Sequence, residues 1–198
     1  MNLTQIKLNR WTEILSSFDQ FGFLTTSQVQ RLHNLGGVRN ALRVLTDMKE
    51  YLHSYREGET VWYLNSAGRK MIGSQIVRKR NQSSRHTVAR NEVYIAKCPD
   101  LWKPEYSIKW DGKEIICDAL YRTGKTYTFV EIDITQSMAA NARKIGTYRE
   151  LRDSGRWQAR YGEFPIVLFV TSSEHRRKRL IESAGDLVVE VITFEDLR

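Results

Sequence analysis

Apolar residues fall into two kinds of spacing along the chain, and no single layer of one secondary-structure type can bury both patterns. Up to residue 52 they recur at three- and four-residue steps: Leu8, Trp11, Ile14, Leu15 and Phe18, then Val38, Ala41, Leu42, Leu45, Met48 and Leu52. Such spacing lays one stripe along a helix. Beyond it come short apolar runs bounded by turn residues, which suit strands: Tyr106–Trp110, Ile115–Leu120, Tyr127–Ile134, Pro165–Val170 and Leu187–Phe194. At 198 residues there is room for two small domains, one of each kind.

The first seventy residues predict a winged helix-turn-helix. A first helix spans about Gln5 to Asp19. Thr25 caps a short second helix, with Gln28 placed as the reciprocal partner of a capping box. Gly36-Gly37 turns into a third helix, whose opposite face carries Arg39, Asn40 and Arg43 near its N-terminal end. A recognition helix presents side chains to DNA from that end. Leu52–Tyr55 and Val61–Leu64, joined through Arg56-Glu57-Gly58-Glu59, read as a hairpin wing. Ser66 is expected to cap a last helix, Ala67 to Ile72. Arg31 and Arg56 are weaker phosphate candidates, and Tyr55 and Trp62 are candidate contacts on the wing. A purely structural reading, with Arg39 and Arg43 merely solvated, stands beside this one.

Charge separates the halves as the spacing does. The net charge is +8; residues 1–90 hold 14 Lys/Arg against 6 Asp/Glu, while residues 91–198 hold 17 of each. Excess positive charge on one part of a chain attracts polyanions. Arg78, Lys79, Arg80, Arg85 and Arg90 fall between Ser74 and Arg90 with no acid among them, so this stretch reads as a basic linker that adds phosphate contacts. The expected division is a winged helix over residues 1–73, a linker over 74–86 and a second domain over 87–198.

That second domain reads α-β-β-β-α-β-α-β, an α/β unit with a central mixed sheet within an α+β whole. Its first helix runs from Thr87 to Lys97, and Asp111-Gly112 marks a hairpin between its first two strands. A helix from about Ser137 to Asp153 and a basic helix from Glu174 to Ala184 follow. Asp118 sits on the second strand, and Glu131 and Asp133, two apart on the third, share a sheet face. Carboxylates in so apolar a strand require a cation beside them. A metal, or a pairing with Arg143 or Lys144 that pins the helix to the sheet, would serve. The run Arg176–Arg179 reads as an exposed basic face.

An acid on one strand followed by a hairpin and Glu131-Ile132-Asp133 resembles the PD-(D/E)XK nucleases. The resemblance implies a site in which Asp118 and Glu131 hold Mg²⁺ or Mn²⁺ for phosphodiester hydrolysis. Asp133 stands at the motif's lysine position and Cys117 at its proline. Lys144 on the next helix is the candidate for the displaced ammonium, and Glu92 for an acid from the first helix. Across nearly the whole chain the sequence is similar to the replication-relaxation family of plasmids, phages and mobile elements. The residues that carry this are Thr25–Gln28, Tyr63-Leu64, Gly68, Arg85-His86, Asn91, Asp118, Glu131–Asp133, Lys144 and Tyr148. Membership implies double-stranded DNA as partner, together with replication or relaxase proteins and a possible homodimer. No cofactor is needed for binding DNA.

Three functions follow: a DNA-binding accessory protein whose nuclease-like half is a structural module, a metal-dependent DNA endonuclease, and a winged-helix transcriptional regulator. His33, His53, His86 and His175 lack ligand spacing for zinc, and Cys98 and Cys117 form no metal or disulfide pattern. With no apolar run of membrane length, a cytoplasmic protein is expected.

Overall fold

The computed structural model describes residues 3–197, and the chain divides between Ile95 and Ala96 into two compact units. The first runs α1 (Leu3–Phe21), β1 (Leu24–Thr25), α2 (Thr26–Leu32), α3 (Val38–Asp47), β2 (Leu52–Glu57), β3 (Glu59–Leu64), α4 (Ser66–Ile72) and most of α5 (Ser83–Lys97). Its strands form a small antiparallel sheet of order β1-β3-β2. The two-residue strand β1, which the sequence does not announce, pairs Leu24 with Trp62 and Thr25 with Val61.

Local signals explain most of these elements. Thr25 Oγ1 accepts the Gln28 amide at 3.1 Å and Gln28 Oε1 accepts the Thr25 amide at 3.0 Å, so the expected capping box starts α2. Ile14, Leu15 and Phe18 of α1 are buried as expected, but Leu8 is exposed. On α3 the buried face is Ala41 and Leu45, continued by Met48 at its C-cap, whereas Val38 and Leu42 lie exposed beside Arg39 and Arg43. The helix ends at Asp47, and Leu52 opens β2 instead of continuing the stripe. Asn65, one residue before Ser66, caps α4 by accepting the Gly68 amide at 3.0 Å. Trp62 is a core residue: it is buried, and its indole N–H donates to Thr26 Oγ1 at 3.0 Å.

Gly68 is required by close approach. A Cβ built there would lie 2.2 Å from the Tyr51 carbonyl oxygen, a contact no flexible side chain can relieve. Gly68→Ala is expected to destabilise the first unit by about 1–3 kcal/mol through forced backbone displacement. A shift in the urea midpoint at unchanged slope measures it, and an unshifted midpoint contradicts it.

Helix α5 starts at Ser83, four residues before the expected position, and packs with the first unit up to Ile95. Asn91 Nδ2 donates to the carbonyls of Phe21 and Phe23 at 3.0 and 2.9 Å. Gln28 Nε2 donates to the Val88 carbonyl at 2.8 Å and to Glu92 at 2.9 Å. These bonds satisfy polar groups that would otherwise be buried alone. They place residues 87–95 in the first unit, where the sequence reading had put them at the start of the second domain.

The second unit holds β4 (Leu101–Trp110), β5 (Lys113–Thr123), β6 (Thr126–Asp133), α6 (Met138–Asp153), α7 (Arg156–Tyr161), β7 (Ile166–Thr171), α8 (Glu174–Ala184) and β8 (Val189–Thr193), then a 3₁₀ turn. Its mixed sheet has the order β4-β5-β6-β7-β8, antiparallel as far as β6 and parallel from β6 to β8. Strand β7 is apolar almost throughout and buried, and β6 is buried from Thr128 onward, as strands covered on both faces must be. Helix α7 is an addition to the expected order; it seats Trp157 against Phe129, ring centroids 4.9 Å apart. None of the described helices is long and apolar enough to cross a membrane.

Candidate functional site

Two clusters of charge stand out, one in each unit. In the first, beside the β2-β3 hairpin, His53, Tyr63, Ser66, Arg69, Val77, Arg78, Lys79 and Arg80 line a cleft of about 280 Å³. No acidic side chain lines it. The Arg80 guanidinium lies over the Tyr55 ring, 4.4 Å from its centroid, which fixes the end of this basic arm on β2. The stretch read as a linker thus contributes one wall of a cationic cleft, and Arg69 and His53 complete it. Arg69 sits in the last turn of α4, where a basic residue also suits the helix dipole, so its spacing alone carried no functional signal.

The other expected DNA contacts divide. Arg39 and Arg43 are exposed on α3, Arg56 on β2 and Arg85 on α5. Asn40 instead braces its own turn, donating to the Leu35 carbonyl at 2.8 Å and accepting from Arg43 at 2.8 Å. Arg31 is held by both oxygens of Glu92 at 2.7 Å. Glu92, the expected extra nuclease acid, is therefore neutralised within the first unit. Arg90, counted in the basic linker, is buried on α5.

The second cluster lies where β5 and β6 part. Their ladder ends at Ala119 opposite Val130, which leaves Asp118 and Glu131 facing each other at the fork. Asp118 Oδ2 accepts the Ile132 amide at 2.6 Å. Helix α6 meets β6 with residues three and four apart on one face: Asn141, Lys144 and Tyr148. Lys144 donates to Glu131 Oε2 and Tyr148 to Glu131 Oε1, so both carboxylate oxygens are taken. Burial pushes the Glu131 carboxyl up to about 8, with the Lys144 ammonium acting in the opposite direction. Burial works against the Lys144 charge too, but Glu131 and Asp118 outweigh it and hold its pKa above the ordinary lysine value.

Asp133 has separate partners. It is 1% exposed and accepts from Asn141 at 2.9 Å, Thr171 at 2.7 Å and Arg176 at 2.7 and 2.6 Å. The cation is Arg176 from α8, not Arg143, which is exposed. The first residue of the basic run is thus an internal counter-ion instead of part of an outer face. Arg177 pairs with Glu174 and Asp196. Cys117, at the position of the motif's proline, is buried, and burial raises its thiol pKa.

These donors do not fit a resident divalent cation as they stand. Glu131 is saturated by an ammonium and a phenol, and the Ile132 carbonyl accepts Gln136 Nε2 at 3.0 Å. Among the described residues, no three His, Cys, Asp or Glu side chains are grouped to hold a metal. Lys144 supplies the positive charge that a metal supplies elsewhere.

Fold and clusters together define a mixed α/β protein whose layout is compatible with a winged helix followed by a nuclease-like module. Residues 15–167 match the replication-relaxation family, and the chain belongs to it. No match was found among curated proteins. Among solved structures, the crystal structure of protein VC1899 from Vibrio cholerae is similar at 13% identity and a TM-score of 0.40, covering 96% of this chain and 48% of that one. This chain therefore spans about half the length of that protein.

Proposed function

We propose that the chain is a duplex-DNA-binding accessory protein of a mobile element, acting in replication control, relaxation or mobilisation beside replication or relaxase proteins. In this reading the first unit grips the phosphate backbone and the second unit's acids are structural. The observation that carries it is the wing-side cleft: Arg69, Arg78, Lys79 and Arg80 converge where no carboxylate opposes them. Uncompensated cations of this kind bind phosphates by releasing counterions. The exposed face of α3, with Val38 and Leu42 beside Arg39 and Arg43, supplies both apolar and cationic groups for base edges.

One arrangement favours a second reading. Asp118 facing Glu131 beside Lys144 has the residue types of a hydrolytic nuclease site, and Mg²⁺ or Mn²⁺ would have to displace Lys144 to reach them. A supercoiled plasmid incubated with the protein and either metal decides between the two. The expected result is uncut plasmid at protein concentrations that shift it on a gel. Metal-dependent nicking, lost in Asp118→Ala and in Glu131→Ala, would establish the endonuclease instead. Duplex binding itself is tested by charge reversal in the cleft, followed by fluorescence anisotropy.

A further inference from the structure

We propose that the second unit carries a binding site for an unpaired nucleotide of single-stranded DNA, in the cleft between β4 and α7. The inference is independent of the duplex contact assigned to the first unit. Tyr106, Ile108 and Trp110 alternate along β4 and so share one face of it. Trp157, Arg160 and Tyr161, at helical spacing on α7, share one side of that helix. Together with Ser107, Lys109, Leu151 and Arg156 they line a cleft of about 430 Å³, a volume typical of small-ligand sites.

The lining chemistry selects the ligand. Trp110 and Trp157, at 6% and 4% exposure, form a buried base, while Tyr106 and Tyr161 are half-buried and keep part of their rings open. Trp157 and Tyr161 already lie 4.4 Å apart, centroid to centroid. Aromatic faces of this kind stack on nucleobases whatever their sequence.

Three cations rim the cleft and no acid lines it. Lys109 and Arg156 have carboxylates nearby, Glu114 at 3.7 Å and Asp111 at 2.7 Å. Arg160 is exposed and instead lies 5.2 Å over the Tyr161 ring, ready for a phosphate flanking the stacked base. The Trp157 indole N–H is buried without an acceptor, a donor that a ligand oxygen or nitrogen reaching it would satisfy. An apolar peptide would use the rings but leave the cations idle; a nucleotide uses both. β4 is an edge strand of the sheet, so among the described residues no strand pairs with its outer side.

The test uses the full chain and a fluorescein-labelled twelve-residue oligothymidylate, read by anisotropy. To weaken the contribution of the first unit, it is run in a Lys79→Glu/Arg80→Glu background. That background is expected to keep binding the oligonucleotide, and Arg160→Glu added to it to weaken binding at least about tenfold. Tyr161→Leu should do the same and Tyr161→Phe restore it, with circular dichroism reporting the fold. Because Arg160 is exposed, its variant stays informative if Tyr161→Leu misfolds. Loss of all binding in the background, or full binding with Arg160→Glu, would overturn the proposal. A duplex probe measured in parallel separates the two readings: undiminished duplex binding in the background counts against the first unit's cleft, not against this site.

Discussion

Arg176→Ala is expected to destabilise the protein by about 3–5 kcal/mol, the cost of leaving a buried charge without its partner. Asp133 is 1% exposed, and Arg176 gives it two hydrogen bonds while donating a third to the Gln136 carbonyl at 2.6 Å. Burial pushes the Asp133 carboxyl up, but the bonds from Arg176, Asn141 and Thr171 more than offset that and hold it below the ordinary aspartate value. A group depressed in this way stabilises the fold above its unfolded pKa. That contribution is lost as pH falls through the folded value. The penalty of Arg176→Ala should therefore be full at neutral pH and shrink on acidification, as the stranded carboxyl takes up a proton. Urea unfolding at pH 7 and pH 5 measures this, and Asp133→Asn in the Arg176→Ala chain should recover part of the loss. A loss below about 1 kcal/mol at pH 7 would mean that the pair is better solvated than its burial implies.

The largest effect on binding is expected from Lys79→Glu/Arg80→Glu, which should weaken duplex affinity at least about a hundredfold at low salt. Each reversal removes one phosphate neutralisation and adds a repulsion, and the dependence of log affinity on log salt should flatten by about two phosphates' worth. Arg31→Ala is the control. Its guanidinium is committed to Glu92, so binding should change little even though a cation is lost. Equal effects at the two sites would point to general electrostatics in place of the wing-side cleft.

What the sequence made legible was local. The capping box at Thr25 and Gln28, the hairpin turn at Asp111-Gly112 and the limits of α8 depend on neighbours within a few residues, and the structure has each of them. That Asp118 and Glu131 belong to one site was implied only by the resemblance to the PD-(D/E)XK nucleases; the strand on which each sits was legible. Long-range choices were not. Nothing near Arg176 marks it as the counter-ion of a residue 43 positions earlier. Nothing near Asn91 shows that its amide belongs to the turn after α1. The basic arm read as linker because its composition lacks apolar periodicity. Its role in a cleft arises only where Arg69 and His53 meet it. Trp62 failed as a contact because its ring is buried and its indole N–H donates to Thr26 of α2; the strand β1 that pairs with it is two residues long, too short to leave a pattern.

The claim on which the functional account rests is that the first unit binds duplex DNA through its phosphates. Fluorescence anisotropy of a labelled duplex, titrated with the unaltered protein at several salt concentrations, tests it most directly. Neutralisation of about four phosphates by Arg69, Arg78, Lys79 and Arg80 predicts tight binding at low salt and a slope of log affinity against log salt of about −3.6. Absence of binding at low ionic strength, or an affinity indifferent to salt, would contradict it.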